Sequence, residues 1–219
     1  MSESTSSPVA RRLFLTQMGT SMTVLGAVAA TAPTAEAAQS PADARWQPAR
    51  HKEDDWLDEV PGKHRLVFDT TESAGMGSAL TYATNYYSAS TSGYGLQNAD
   101  LAVVVIARHF STPFAYKDEI WAKYGVPISN FVERGKEPSM RNANGGQLTT
   151  LVGRGMHLAV CQLATRVLAG MIARSVNSNQ DAIYREIEAN LLPNSHLVPA
   201  GIIAVNRAQE RGYTLVHAV

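Results

Sequence analysis

Cys161 is the only thiol in the 219 residues, and it falls where an apolar strand runs into a helix. His157-Leu158-Ala159-Val160-Cys161 carries the strand pattern. Gln162 to Arg174 carries the helix pattern, with Leu163, Val167, Leu168 and Met171 spaced for one face. A thiol at a helix N-terminus meets unpaired backbone N–H groups and the positive end of the helix dipole. Both favour the thiolate, the nucleophilic form of sulfur. A lone cysteine cannot close a disulfide within its own chain, so the residue is either reactive or a small buried hydrophobe.

An imidazole and a guanidinium fall at a second strand end. Leu101-Ala102-Val103-Val104-Val105-Ile106-Ala107 is a continuous apolar run, the mark of a strand buried on both faces of a parallel sheet. It ends in Arg108-His109-Phe110. With Cys161 these give a candidate catalytic set: a thiolate to attack sulfur, with Arg108 and His109 to stabilise an anion or move a proton. Each has a plainer reading, Arg108 as the partner of a carboxylate and His109 as a strand-end cap. Cys161 and His109 would also suit copper or zinc. No C-x-x-C or H-x-x-H spacing accompanies them, and His51, His64, His157, His196 and His217 are scattered, so no metal and no cofactor is expected. Asn142-Ala143-Asn144-Gly145-Gly146 follows no strand and reads as a turn, not a phosphate loop.

The elements between these residues decide whether they meet. Further strands are expected at Arg65–Asp69, at a segment ending in Leu197-Val198-Pro199-Ala200, and at Tyr213–His217. Helices are expected at about Gly75–Ser90, capped by Thr71 or Ser73, and at Phe114–Tyr124, Asp181–Asn190 and Gly201–Arg211. Alternation of this kind predicts an α/β fold, a three-layer sandwich with a mostly parallel five-stranded sheet. Ligands of such sheets gather at the carboxyl ends of the strands. Asp69, Thr70, Thr71, Arg108, His109, Cys161 and Pro199 all belong there. Residues 126–154 read as a long irregular excursion. Its Phe131, Val132, Met140, Leu148 and Leu151 predict either a subunit interface, the preferred reading, or a lid over the Cys161 edge.

The N-terminus reads as an export signal. Arg11-Arg12 followed by Leu13-Phe14 has the twin-arginine pattern. Met18 to Ala32 is moderately apolar, and Ala35-Glu36-Ala37 offers a small-x-small cleavage site. The alternative, a retained membrane anchor, suits a run so rich in Gly, Ser and Thr poorly. The expected organisation is a signal over 1–38, a polar lead-in over 39–62 pinned by Trp46 and Trp56, and one domain over 63–219. The expected location is the periplasm. Nineteen acidic and nineteen basic residues balance, so no charged field points to nucleic acid or, after cleavage, to a membrane surface.

The domain resembles the DsrE/DsrF-like (YchN-like, TusD-related) superfamily. The resemblance rests on Val160-Cys161 leading to Ala164 and Gly170, on Leu197-Val198-Pro199-Ala200-Gly201-Ile202-Ile203, and on Gln209-Glu210-Arg211-Gly212-Tyr213. It runs from Lys63 to the C-terminus. Trp121-Ala122-Lys123-Tyr124-Gly125 and the signal suggest an exported branch. The resemblance implies an α/β sandwich assembled as a trimer or hexamer. It also implies a persulfide carried at Cys161, taken from a sulfur donor and passed to an acceptor protein. The chain departs from the relay members in being exported, and in having Arg166 within the helix while Ala169 precedes Gly170. A non-enzymatic small-ligand or assembly module on the same fold is the alternative.

Overall fold

The computed structural model describes residues 47–219, and the twin-arginine and cleavage-site residues Arg11, Arg12, Ala35 and Ala37, with Trp46, lie outside them. Five strands, β1 (His64–Thr70), β2 (Leu101–Ala107), β3 (His157–Cys161), β4 (Ser195–Val198) and β5 (Thr214–Ala218), form one sheet in the order β4-β3-β2-β1-β5. Every pairing is parallel. Among the described residues seven α-helices accompany it: α1 (Trp56–Glu59), α2 (Ser73–Tyr94), α3 (Asp118–Val132), α4 (Gly145–Gly153), α5 (Gln162–Ser175), α6 (Gln180–Ala189) and α7 (Gly201–Glu210). The α/β three-layer sandwich is as the alternation of elements requires.

The apolar run of β2 explains its own burial. Leu101, Val103, Val105 and Ala107 join the larger core, with residues of α2, α3, α4, α5 and α6. Ala102, Val104 and Ile106 point the other way, into a smaller core with Leu57, Val60, Ala204, Val205 and Ala208. Steps from β1 to β4 travel one way across the sheet, with their helices on the first face. The return to β5 runs the opposite way, so a right-handed crossover must place α7 on the second face.

The excursion is mostly helix. Residues 126–132 continue α3 and 145–153 form α4, leaving the irregular stretch 133–144 and the closing turn at Arg154. Tyr124 has non-helical angles (φ −125°, ψ 22°), so Pro127 lies in the first turn of a restarted segment, where its missing N–H costs nothing. A Cβ on Gly125 would collide with the Ser139 carbonyl, which packs the irregular stretch against this restart. Leu148 and Leu151 are buried in the larger core, Phe131 and Val132 pack against it, and only Met140 stays exposed. The chain covers these groups itself, which removes the argument for a subunit interface built from them.

Smaller differences have local causes. The helix expected at Phe114–Tyr124 is a 3-10 turn over His109–Ala115 followed by α3. Helix α2 starts at Ser73 with Glu72 at the cap position and no side-chain cap, and it runs on to Gly95, whose positive φ of 68° ends it. The described part of the lead-in is docked through a few residues, while His51, Lys52, Glu53 and Asp55 stay exposed. Asp54 is buried beside Arg207 (3.6 Å), Arg211 Nε meets Asp58 Oδ2 at 3.3 Å, and Tyr213 Oη donates to the Leu57 carbonyl at 2.7 Å. No helix among the described residues is long and apolar enough to cross a membrane.

Candidate functional site

Adjacent strands β3 and β4 send their chains to opposite faces, β3 into α5 on the first and β4 into α7 on the second. Divergence of this kind opens a crevice at the carboxyl ends. A cavity of about 400 Å³ occupies it. Cys161, Leu163, Ala164 and Val167 line it from β3 and α5, and Ala200, Gly201 and Ile202 from the start of α7. Arg108, His109 and Phe110 close it from the end of β2, and Phe131 from α3. Cys161, Arg108 and His109, the three residues singled out from sequence, therefore share one cavity. Pro199 does not line it, whereas Ala200 and Gly201 do.

Cys161 occupies the N-cap position of α5, and its side chain makes no capping hydrogen bond. Its backbone is anchored: Thr165 Oγ1 donates to the Cys161 carbonyl at 3.0 Å, and Tyr116 Oη donates to Thr165 Oγ1 at 3.0 Å. The residue is 7% exposed, enough to line the cavity floor. Burial raises the Tyr116 phenol above the ordinary tyrosine range, the Thr165 hydrogen bond acts against this, and negative charge on Cys161 adds to it.

Arg108 is held by a carboxylate. Its Nε and Nη2 donate to Asp69 Oδ1 and Oδ2 at 2.6 and 2.8 Å, a two-pronged pair. The hydrogen bond to Asp69 raises the arginine above its usual range; burial opposes it, and the charges of Asp69 and Cys161 add to it. His217 Nδ1 donates to the same Asp69 carboxylate at 3.1 Å. A Cβ on Gly201 would overlap the Arg108 side chain, so the glycine is what lets the arginine lie across the start of α7.

His109 is exposed at the mouth and has a positive φ of 52°, unusual for a residue with a side chain. The turn that holds it is tied down behind. Ser111 Oγ accepts the Arg108 N–H at 3.0 Å and lies 2.9 and 2.8 Å from the carbonyl oxygens of Thr70 and Arg108. Ser111 N–H donates to the Thr71 carbonyl at 3.1 Å. Phe110 meets Phe131 edge-on, with centroids 5.5 Å apart, so one large group of the excursion walls the cavity.

The apolar face of α5 read from Leu163, Val167, Leu168 and Met171 is divided between core and cavity. Leu168 is buried, but Leu163 and Val167 are about 60% exposed, at the cavity rim. Thr165, Ala169, Ile172 and Ala173 take the core positions instead. Strand order puts Asp69 and Arg108 on one edge, whereas Leu163, Val167, Phe131, Ile202 and His217 are not identifiable as part of the site from spacing. The apolar spacing of Leu163 and Val167 at the start of α5 is the one available signal.

A second polar cluster lies at the opposite end of β3. His157 Nδ1 and His196 Nε2 are 2.9 Å apart, one donating to the other, and Trp56 stacks on His196 at 3.9 Å and 8°. Burial lowers the basicity of His157. The same cause, then the charge of His157, brings His196 down to about 4.

No protein-family model and no curated protein matches the chain. Among solved structures, it is similar to MTH1491, a protein of unknown function from Methanobacterium thermoautotrophicum. The two share 15% identity over 71% of this chain and 99% of the other, with a TM-score of 0.41.

Proposed function

We propose that the protein is an exported, DsrE-like sulfur carrier that holds sulfane sulfur as a persulfide on Cys161. The observation that carries this reading is the placement of the only cysteine on the floor of a cavity at the diverging ends of β3 and β4, beside a paired arginine. In the loading step the Cys161 thiolate attacks the outer sulfur of a hydropersulfide donor. A bond forms between Sγ and that sulfur, and the donor's sulfur–sulfur bond breaks. The electron pair leaves with the donor thiolate, which takes up a proton. Arg108 keeps its charge through this step, because Asp69 stabilises the guanidinium. With both prongs on Asp69 it lines the cavity beside the sulfur as half of a fixed ion pair. His109, exposed at the mouth, is placed to move the proton.

Intact mass of the native protein, with and without reductant, tests the reading. One sulfur atom gained on Cys161, lost on reduction and absent in Cys161→Ser, is the expected outcome; an unmodified thiol after exposure to a hydropersulfide donor would sink it. The low exposure of Cys161 favours one second reading, a small-ligand module with an inert thiol, and that result would select it. Export belongs to the same proposal and rests on Arg11-Arg12. Replacing both with lysine should leave the protein unprocessed in the cytoplasm. Normal processing and delivery of that variant would remove the twin-arginine assignment.

A further inference from the structure

We propose that the cavity above Cys161 selects small, uncharged, apolar molecules that carry a sulfur–sulfur bond, and that Leu163 and Val167 set this selectivity. The inference rests on the carrier reading of Cys161 and names its substrate class. A volume of about 400 Å³ lies in the range of sites that enclose small molecules, roughly 300–1,000 Å³. Aliphatic and aromatic side chains from four segments make up most of the wall. Leu163 and Val167 stand about 60% exposed on α5, facing Ile202 at 59% on α7, although the core on each helix is filled by other residues. Apolar groups held at a rim on both sides of a crevice, with no core to fill, favour an apolar occupant.

Charge points the same way. Arg108 is the one permanently charged side chain in the wall, and both prongs of its guanidinium are engaged by Asp69, itself 4% exposed. The pair is neutral as a unit. An anion such as thiosulfate would surrender its hydration on entry and meet no unpaired cation in return. An uncharged disulfide, hydropersulfide or polysulfane loses little hydration and gains the wall.

Thiolation of the folded protein by a series of methanethiosulfonates tests this. Each reagent transfers its RS group to Cys161: an Sγ–S bond forms, the bond to the sulfonyl sulfur breaks, and methanesulfinate leaves with the electron pair. With each rate divided by that of free cysteine, the benzyl reagent should exceed the anionic sulfonatoethyl reagent by about tenfold, the scale on which an apolar pocket discriminates. Leu163→Asn and Val167→Asn should each reduce the benzyl advantage, slowing the benzyl reagent more than the small methyl reagent. Both side chains are exposed, so the fold tolerates the changes. A benzyl advantage untouched by either variant would overturn the assignment of those residues. Equal normalised rates for all reagents, as for a rim that receives a partner protein instead, or a preference for the anion, would overturn the selectivity and leave the carrier reading standing. Failure of even the methyl reagent, with normal reaction after denaturation, would overturn both.

Discussion

At the carboxyl end of β3, Cys161 lines a cavity with Arg108 and His109; at the amino end of the same strand, His157 is closed in with His196 beneath Trp56. Both ends gather titratable groups, and both sit in partly dry surroundings. They differ in what the chain does next. Beyond Cys161 the neighbouring chains diverge to opposite faces and leave a space. At the foot, the docked lead-in lays an indole across the imidazoles. Polar groups brought together in a fold are therefore not by themselves a site; the accompanying void separates a candidate for chemistry from a packed interior pair.

Removing Asp69 should disturb the upper end most. Asp69→Ala leaves Arg108, only 15% exposed, without its carboxylate, and strips the partner of His217. Loss of one member of a buried pair costs about 3 kcal/mol, since the other charge stays desolvated. Urea unfolding should show a destabilisation of that order. Stability equal to the parent would mean that water already serves the guanidinium and that Asp69 does not shape the cavity.

Gly201→Ala sharpens the contrast with a smaller change. Its methyl group would meet the Arg108 side chain at the start of α7, an overpacking that costs about 1–2 kcal/mol where neighbours can shift. Displacing Arg108 should also alter the rate of Cys161 thiolation, which a purely structural glycine would leave alone. Unchanged stability together with an unchanged rate would show that Arg108 is not fixed by this contact.

Legibility in the sequence followed the same division. Strands β2 and β3 and the start of α5 coincide with the patterns read from Leu101–Ala107 and His157–Cys161, because strands buried on both faces leave a continuous apolar signature. The convergence of Cys161, Arg108 and His109 followed from parallel strands ending on one edge. The excursion was illegible because Pro127 and Gly145-Gly146, which normally interrupt helices, here stand near helix starts. The place of Leu163 and Val167 at a cavity rim is not legible, because amphipathic spacing records apolar groups on one face without saying whether a core or a cavity receives them. The pairing of Asp69 with both Arg108 and His217 joins β1 to the ends of its two neighbours, and no local pattern encodes such contacts.

The histidine pair at the foot should give the mildest effect, one visible only with pH. His196 takes up its proton at about 4 in the folded protein, against an ordinary value of 6.5, because burial and then His157 oppose the charge. Between those values the unfolded chain binds the proton and the native state does not. Stability from this source is therefore full above pH 6.5 and is lost progressively as pH falls toward about 4. His157 is lowered as well and adds in the same direction. His196→Phe keeps an aromatic ring under Trp56 and removes the titration, so its unfolding midpoint should fall less steeply with acidification than that of the parent. A residual slope from His157 should persist. Thiolation of Cys161, measured at neutral pH, should be the same in variant and parent, because the two ends of β3 share a strand and not a site. Parallel stability profiles for parent and variant would show that the imidazoles are hydrated under the indole; a changed thiolation rate would show instead that the two ends are coupled.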